Sequence, residues 1–148
     1  NSDEKAVGKL LKHPRSNIAL SDAGAHLTFF NDAGYGLYML QKWVRENKLM
    51  SIEEAIYNLT GKQADIYRID QRGRLVPGQH ADMMLLDPEE VSVSQSYRVN
   101  DLPGGGSRLN IDGQGIKGVW VNGQRVLEDG DLINKTDFPG KVIRGFHA

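Results

Sequence analysis

Asp22 is the residue of this sequence best placed to do chemistry. It follows Asn17-Ile18-Ala19-Leu20-Ser21 and is followed at once by Ala23-Gly24-Ala25-His26. The stretch at about 17–20 predicts a short buried strand, and Gly24 lets the backbone turn sharply behind the acid. In parallel α/β architectures, ligands gather at the carboxyl ends of strands. An acid at such a tip, with a His four residues on, can move a proton or help hold a cation. Ser21 and Asp22 are equally the residue types that cap turns and helix starts. Spacing alone leaves both readings open.

No other constellation in the chain is as well formed. The four histidines, His13, His26, His80 and His147, include no His-x-His and no His-Glu-x-x-His, the spacings that converge on a metal. His80 follows the Pro77-Gly78 turn and is expected to face solvent, and His147 lies in the terminal tail. Ser21 has no Gly-x-Ser-x-Gly elbow around it. Gly104-Gly105-Gly106-Ser107-Arg108 lacks the Gly-Lys-Ser/Thr ending of a phosphate cradle, so it reads as a loop with Arg108 at its edge. Glu53-Glu54 belongs to a capped helix start, and Asp82 is expected to tie down the turn before it.

The elements that must position Asp22 are legible on either side of it. Ala33, Leu37, Leu40 and Val44 recur at helical spacing, widened by Met39 and Trp43, and predict a helix over about 32–47 with Asn31 or Asp32 at its start. Ser51-Ile52-Glu53-Glu54 is a capping box opening a helix over about 51–60. Its buried stripe is Ile52, Ala55, Ile56 and Leu59, and Gly61 is expected as its left-handed stop. A shorter helix is expected over about 62–67. Beyond residue 68 the character changes to short apolar runs punctuated by Gly73, Pro77-Gly78, Asn122-Gly123 and Asp129-Gly130, the pattern of a β-rich segment. Met83-Met84-Leu85-Leu86 reads as a strand buried on both faces. Val119-Trp120-Val121, Asn122-Gly123 and Gln124-Arg125-Val126-Leu127 form a hairpin with a type I′ turn. The stretch at about 92–115 has little periodicity and is expected to be a long loop.

Composition narrows the class. The chain has 148 residues, a net charge of -1, 7% aromatics and no cysteine. These argue against a nucleic-acid partner and exclude a disulfide framework or a thiol nucleophile. No apolar run approaches the roughly 20 residues that span a bilayer, so no membrane role is expected. The missing cysteines fit a cytoplasmic setting. The opening Asn-Ser-Asp-Glu-Lys carries no signal-peptide pattern and reads as the interior of a longer chain.

Several of these pieces together resemble one family. Ser21-Asp22-Ala23-Gly24-Ala25-His26, Asn31-Asp32-Ala33 and Trp43-Val44-Arg45-Glu46 are similar to the last barrel unit of metal-dependent amidohydrolases, in the branch of the N-acyl-D-amino-acid deacylases (D-aminoacylases). Gly73-Arg74-Leu75-Val76-Pro77-Gly78 and Ala81-Asp82-Met83-Met84-Leu85-Leu86-Asp87-Pro88 resemble that family's return into its β-sandwich. Gly115-Ile116-Lys117-Gly118-Val119-Trp120-Val121-Asn122-Gly123 resembles its closing hairpin, and Pro139-Gly140-Lys141-Val142-Ile143-Arg144 its ending. The resemblance implies an α/β plus β fold. Residues 1–67 would supply the last strand and helices of a (β/α)8 TIM barrel, and residues 68–148 the C-terminal segment of a composite β-sandwich.

The same resemblance places Asp22 at the end of the eighth barrel strand, beside a divalent metal such as zinc. There it would ligate the metal and carry the proton from the activated water to the leaving nitrogen, with an N-acyl amino acid or a related amide as substrate. His26 would line the pocket mouth, and Arg108 is a second candidate substrate contact. The family's His-x-His strand and its other metal ligands have no counterpart in this sequence. The chain alone is therefore expected to be inactive, to bind metal weakly or not at all, and to self-associate through unpaired edges. The alternatives are hydantoinase-like or dihydroorotase-like hydrolysis of a cyclic amide, or a non-catalytic β-rich interaction module.

Overall fold

A computed structural model of the chain describes residues 3–133 and 136–144; His147 lies outside them. The first element, α1 (Glu4–Leu11), starts on Asp3, whose carboxylate accepts from the Ala6 amide at 3.0 Å. After an irregular stretch, α2 (Tyr35–Tyr38) runs without a break into a π-helical segment, Met39–Glu46. Two further helices follow, α3 (Ile52–Leu59) and α4 (Gly61–Tyr67). The Ser51 hydroxyl accepts from the Glu54 amide at 3.2 Å, the N-terminal half of the expected capping box.

The core forms where the apolar faces of these helices meet. Met39, Leu40, Trp43, Met50 and Ala55 are buried, flanked by partly buried Val7, Leu37, Val44, Ile52, Ile56 and Leu59. Leu37, Leu40 and Val44 lie on the stripe that the helical spacing predicts, because residues three and four apart share one face, whereas Ala33, expected with them, is exposed in the turn before α2. Val91, from the strand-rich half, is buried in the same cluster, and Leu86 and Ile116 pack against it. Hydrogen bonds fasten the halves beside this cluster: the Arg45 guanidinium donates to the Val91 and Pro88 carbonyls at 2.7 and 3.2 Å, and the Val93 amide donates to Gln41 Oε1 at 3.2 Å.

Among the described residues eight strands follow: β1 (Met83–Leu86), β2 (Ser92–Val93), β3 (Tyr97–Leu102), β4 (Gly106–Asn110), β5 (Gly113–Gln114), β6 (Ile116–Val121), β7 (Gln124–Glu128) and β8 (Asp131–Leu132). All pairings are antiparallel, in a four-stranded sheet ordered β1-β6-β7-β8 and two ribbons, β2-β5 and β3-β4. The β6–β7 hairpin turns on Asn122 (φ 49°) and Gly123 (φ 79°), the paired left-handed residues that a type I′ turn requires. Gly115 (φ 72°) lies so close to Val91 that a Cβ there would sit 2.6 Å from the Val91 nitrogen. Only glycine fits at that crossing.

Four expectations need correction. Residues 17–20 form no ladder with any described residue, because a strand exists only through its hydrogen-bonded neighbours and none is offered here. Gly61 does not stop a helix; it opens α4, and the left-handed terminator is Arg68 (φ 52°). A Cβ on Gly61 would meet the Tyr57 ring at 2.9 Å, so the glycine serves close packing. β1 is not buried on both faces: it is an edge strand, leaving Met84 42% and Leu85 55% exposed. The stretch at 92–115 is not a long loop but carries β2 to β5, with a 3₁₀ turn (Pro103–Gly105) at the hairpin tip. Its strands escape notice because polar residues occupy both faces, and side-chain hydrogen bonds rather than burial hold them.

Candidate functional site

Asp22 sits in a polar turn anchored at both ends. Upstream, the Asn17 and Gln63 side-chain amides exchange two hydrogen bonds, at 2.9 and 2.6 Å. Gln63 Nε2 also donates to the Ile18 carbonyl at 2.6 Å, and Lys62 Nζ to the Ser16 carbonyl at 2.6 Å. The lead-in to the turn is thus tied to α4. Downstream, the Leu109 amide donates to the Leu27 carbonyl at 2.7 Å, Arg98 Nη1 to the Thr28 carbonyl at 3.2 Å, and Asn31 Nδ2 to the Leu109 carbonyl at 3.1 Å. The far side is thus tied to the β3–β4 hairpin.

Within the turn the capping work falls to Ser21. Its hydroxyl accepts from the Ala23 amide at 3.2 Å. Asp22 adopts φ 53° and Gly24 φ 94°, and the Ala25 amide donates to the Asp22 carbonyl at 3.2 Å. Asp is one of the few side chains that tolerates the left-handed region. Its carboxylate is exposed and accepts no hydrogen bond from the described residues. The two readings of the pair therefore separate: Ser21 caps, and Asp22 presents a free acid to solvent.

His26 and Arg108 differ in how much of their chemistry is already used. The His26 ring is exposed and stacks on Phe29 with centroids 4.9 Å apart, while its carbonyl accepts from the Phe29 and Phe30 amides at 3.0 and 2.9 Å. Asp22 and His26 thus open two successive turns, closed by Ala25 and by Phe29 and Phe30. Arg108 stands on β4 next to Leu109, the residue bonded to Leu27. Its guanidinium forks onto Asp101 at 2.8 and 2.7 Å and reaches Asn110 Oδ1 at 3.1 Å. The hydrogen bonds from Arg108 hold the Asp101 carboxyl below the usual carboxylate range, and the same pairing raises Arg108. Its charge is paired with that of Asp101 at the surface.

The remaining candidates are structural. Asp82 accepts from the Asn122 amide at 2.8 Å and pairs with Arg72. Desolvation pushes its pKa up, but the amide and the guanidinium outweigh it, so the net direction is down. Its role is structural, as expected, but the turn it ties down is the β6–β7 turn through Asn122 and not the Pro77-Gly78 turn just before it. His80 is exposed, and its amide bonds to the Gln71 carbonyl at 2.9 Å.

No three His, Asp or Glu side chains among the described residues converge to hold a cation. Asp22 could supply one ligand only, so the described residues do not by themselves fit a metal. Two surface grooves lie elsewhere. One, of about 670 Å³, runs between α1 and the π segment, and one of about 250 Å³ borders Gly113–Lys117; neither touches Asp22, His26 or Arg108. Asn31, Gln63 and Arg98, which hold the turn in place, are not marked as site residues by any motif. Asn31 stands out in the sequence as a helix-start cap and as part of the family resemblance, with no site role attached, and its side chain does accept from the Ala33 amide at 3.0 Å. The partners of Gln63 and Arg98 are too far along the chain for spacing to reveal.

Comparison with known proteins gives this geometry a context. A model of the Amidohydrolase family matches residues 2–127. An N-acyl-D-aspartate deacylase of Alcaligenes xylosoxydans xylosoxydans is 32% identical over 143 residues, which is 95% of this chain and 26% of that protein. An N-acyl-D-glutamate deacylase of the same organism is 26% identical over 146 residues, or 96% of this chain and 27% of that one. Among solved structures, a D-aminoacylase studied for its binuclear metal centre superposes with a TM-score of 0.65 at 25% identity, covering 90% of this chain and 26% of its own. The chain spans about a quarter of the length of the curated relatives it matches.

Proposed function

This chain belongs to the amidohydrolase family, and on that premise we propose that it is the C-terminal part of a metal-dependent enzyme that hydrolyses the amide bond of N-acyl amino acids. Residues 1–67 are then the end of its barrel and residues 68–148 the closing part of its β-sandwich. One observation carries the reading. Asp22 is an exposed carboxylate without a structural partner among the described residues, in a turn that is itself fastened on both sides.

A divalent cation such as zinc would be held mainly by side chains outside this chain, with Asp22 as one ligand, and would supply an acidified water and a polarised amide carbonyl. The part of this chain is proton transfer. Asp22 takes a proton from the attacking water and delivers it to the leaving nitrogen, a step worth about 10² to 10⁴ in rate. With Ser21 capping the turn, the Asp22 carboxylate stays exposed and unpaired among the described residues. His26, braced by Phe29, borders the substrate. Arg108 contributes a charge to substrate binding only by exchanging Asp101 for a substrate carboxylate.

Two properties of the isolated chain follow from the same reading. It is inactive, since one carboxylate does not make a metal site. It also self-associates, since Leu20 (87% exposed) and Phe29 (70% exposed) lack cover. No helix among the described residues is long and apolar enough to cross a membrane, and the substrate proposed is a small water-soluble amide in a reducing, cytoplasmic setting. The test is steady-state hydrolysis of N-acyl-D-aspartate, N-acyl-D-glutamate and neutral N-acyl-D-amino acids by the full-length enzyme, before and after chelation and metal return. Metal-dependent release of the free amino acid is expected. Absence of turnover on every N-acyl amino acid, or turnover by the isolated chain, overturns the proposal.

A further inference from the structure

The β3–β4 hairpin pairs with the Asp22 turn through the outer edge of β4. Leu109 stands opposite Arg98 in the ladder. Its amide and its carbonyl both serve the turn segment, donating to Leu27 at 2.7 Å and accepting from Asn31 at 3.1 Å. In an antiparallel pair a residue that turns both main-chain groups outward leaves the ladder intact and offers an edge for docking. Leu27 and Asn31 occupy that edge. Arg98 adds a third bond to Thr28 at 3.2 Å and a fourth, within the hairpin, to the Ser107 hydroxyl at 3.1 Å. The turn segment buries little apolar surface of its own, and Leu20 and Phe29 are largely exposed. Its order must therefore come from these polar anchors.

The hairpin is built to be stiff at that edge. Asp101 on β3 and Arg108 on β4 form a forked pair across the ribbon. Asn110 Nδ2 donates to the Tyr97 hydroxyl at 2.8 Å, and that hydroxyl donates to Asp112 Oδ1 at 2.9 Å. These bonds flank Leu109 on either side in sequence.

We infer that the β3–β4 hairpin is the positioning element for Asp22, with Arg98, Asn31 and the Leu109 main chain holding the turn in register and the Arg108–Asp101 pair keeping the hairpin rigid. The inference rests on the reading of Asp22 as the proton-transferring carboxylate. Arg98 is a positioning residue: it acts on the reaction through Thr28 and the turn, six residues from the acid.

The experiment uses the full-length enzyme with Arg98→Ala, Arg98→Lys and Asp101→Asn, and has two arms. In the first, amide hydrogen exchange is followed at Ala25, Phe29 and Phe30, whose bonds close the turn, with α3 as an internal reference. Arg98→Ala is expected to raise exchange at these amides by about tenfold, the loss of one hydrogen bond from a charged donor, and to leave α3 unchanged. In the second arm kcat is expected to fall by about tenfold with a smaller change in KM, because a misplaced group costs rate more than binding. Arg98→Lys, which keeps a donor, should restore part of both, and Asp101→Asn should loosen the same amides without touching Thr28. Unchanged exchange in the turn of folded Arg98→Ala and Asp101→Asn variants overturns the inference, as does faster exchange with kcat intact. If the unmodified enzyme turns over no amide, the proposed function fails, and the exchange arm still decides whether the hairpin holds the turn.

Discussion

The helical core and the Asp22 turn are ordered by opposite means. Met39, Leu40, Trp43, Met50 and Ala55 hold one another by exclusion of water, and Val91 joins them from the other half of the chain. The segment from residue 17 to 31 places only Ile18 against that core. Polar anchors to α4 and to the β3–β4 hairpin do the rest. Apolar packing is tolerant of direction, whereas hydrogen bonds fix distance and angle. Under the role proposed for Asp22, the turn gains from the second kind of support, and it pays for this with exposed Leu20 and Phe29.

The sharpest way to break the comparison is to alter the acid itself. Asp22→Asn in the full-length enzyme is expected to lower kcat by about 10² to 10⁴ while shifting unfolding stability by less than about 0.5 kcal/mol, the usual range at an exposed site. Kinetics together with urea denaturation checks both halves. A stability loss comparable to a core truncation would mean that the turn is part of the packing after all.

Leu40→Ala tests the other side. Leu40 is 2% exposed at the centre of the core, and its truncation is expected to cost about 2–5 kcal/mol of stability. The denaturation midpoint of the purified chain measures it. A cost below 1 kcal/mol would show that the helices are not held by this cluster.

Gly115→Ala probes the seam between the halves. A methyl group at φ 72°, 2.6 Å from the Val91 nitrogen, forces the two segments apart. A loss of more than about 1 kcal/mol is expected. Near-neutral behaviour in the same denaturation assay would mean that the seam yields.

Acid should loosen the polar region before the apolar one. The hydrogen bonds from Arg108 depress the Asp101 pKa, so the pair contributes fully above the unfolded carboxylate value of about 3.9. That contribution is lost as pH falls through the lower, folded value. The Leu109 amide resonance should therefore be constant from about pH 7 to pH 5 and move only below about pH 4, ahead of α3 resonances. Movement already at pH 6, or movement together with the core, contradicts this order. The effect is small, since Asp101 is exposed to screening solvent.

The helices illustrate what local pattern can carry. Spacings of three and four among Leu37, Leu40 and Val44 identify the buried face correctly, because helix geometry makes sequence neighbours into spatial neighbours. α1 carried the same kind of signal, in Asp3 followed by Val7 and Leu11 at a spacing of four, and could have been found by it. The hairpin at 97–110 illustrates the limit. Its strands hold only Val99, Leu102 and Leu109 as aliphatic residues among polar ones, with Val99 opposite Arg108 and Leu109 opposite Arg98, so no sustained apolar alternation exists to read.

Sequence alone was enough to read the capped helix at Ser51, the type I′ hairpin and the kinship of the chain, since each is carried by short motifs whose residues lie within a few positions of one another. Only the tertiary structure decided that Ser21 caps the turn and leaves Asp22 free, that residues 17–20 lack a ladder, and that Leu27 docks on Leu109 eighty-two positions away along the chain (109 minus 27). Those outcomes rest on which polar groups meet across the fold, and hydrogen bonds between distant segments leave no periodicity in the chain that makes them.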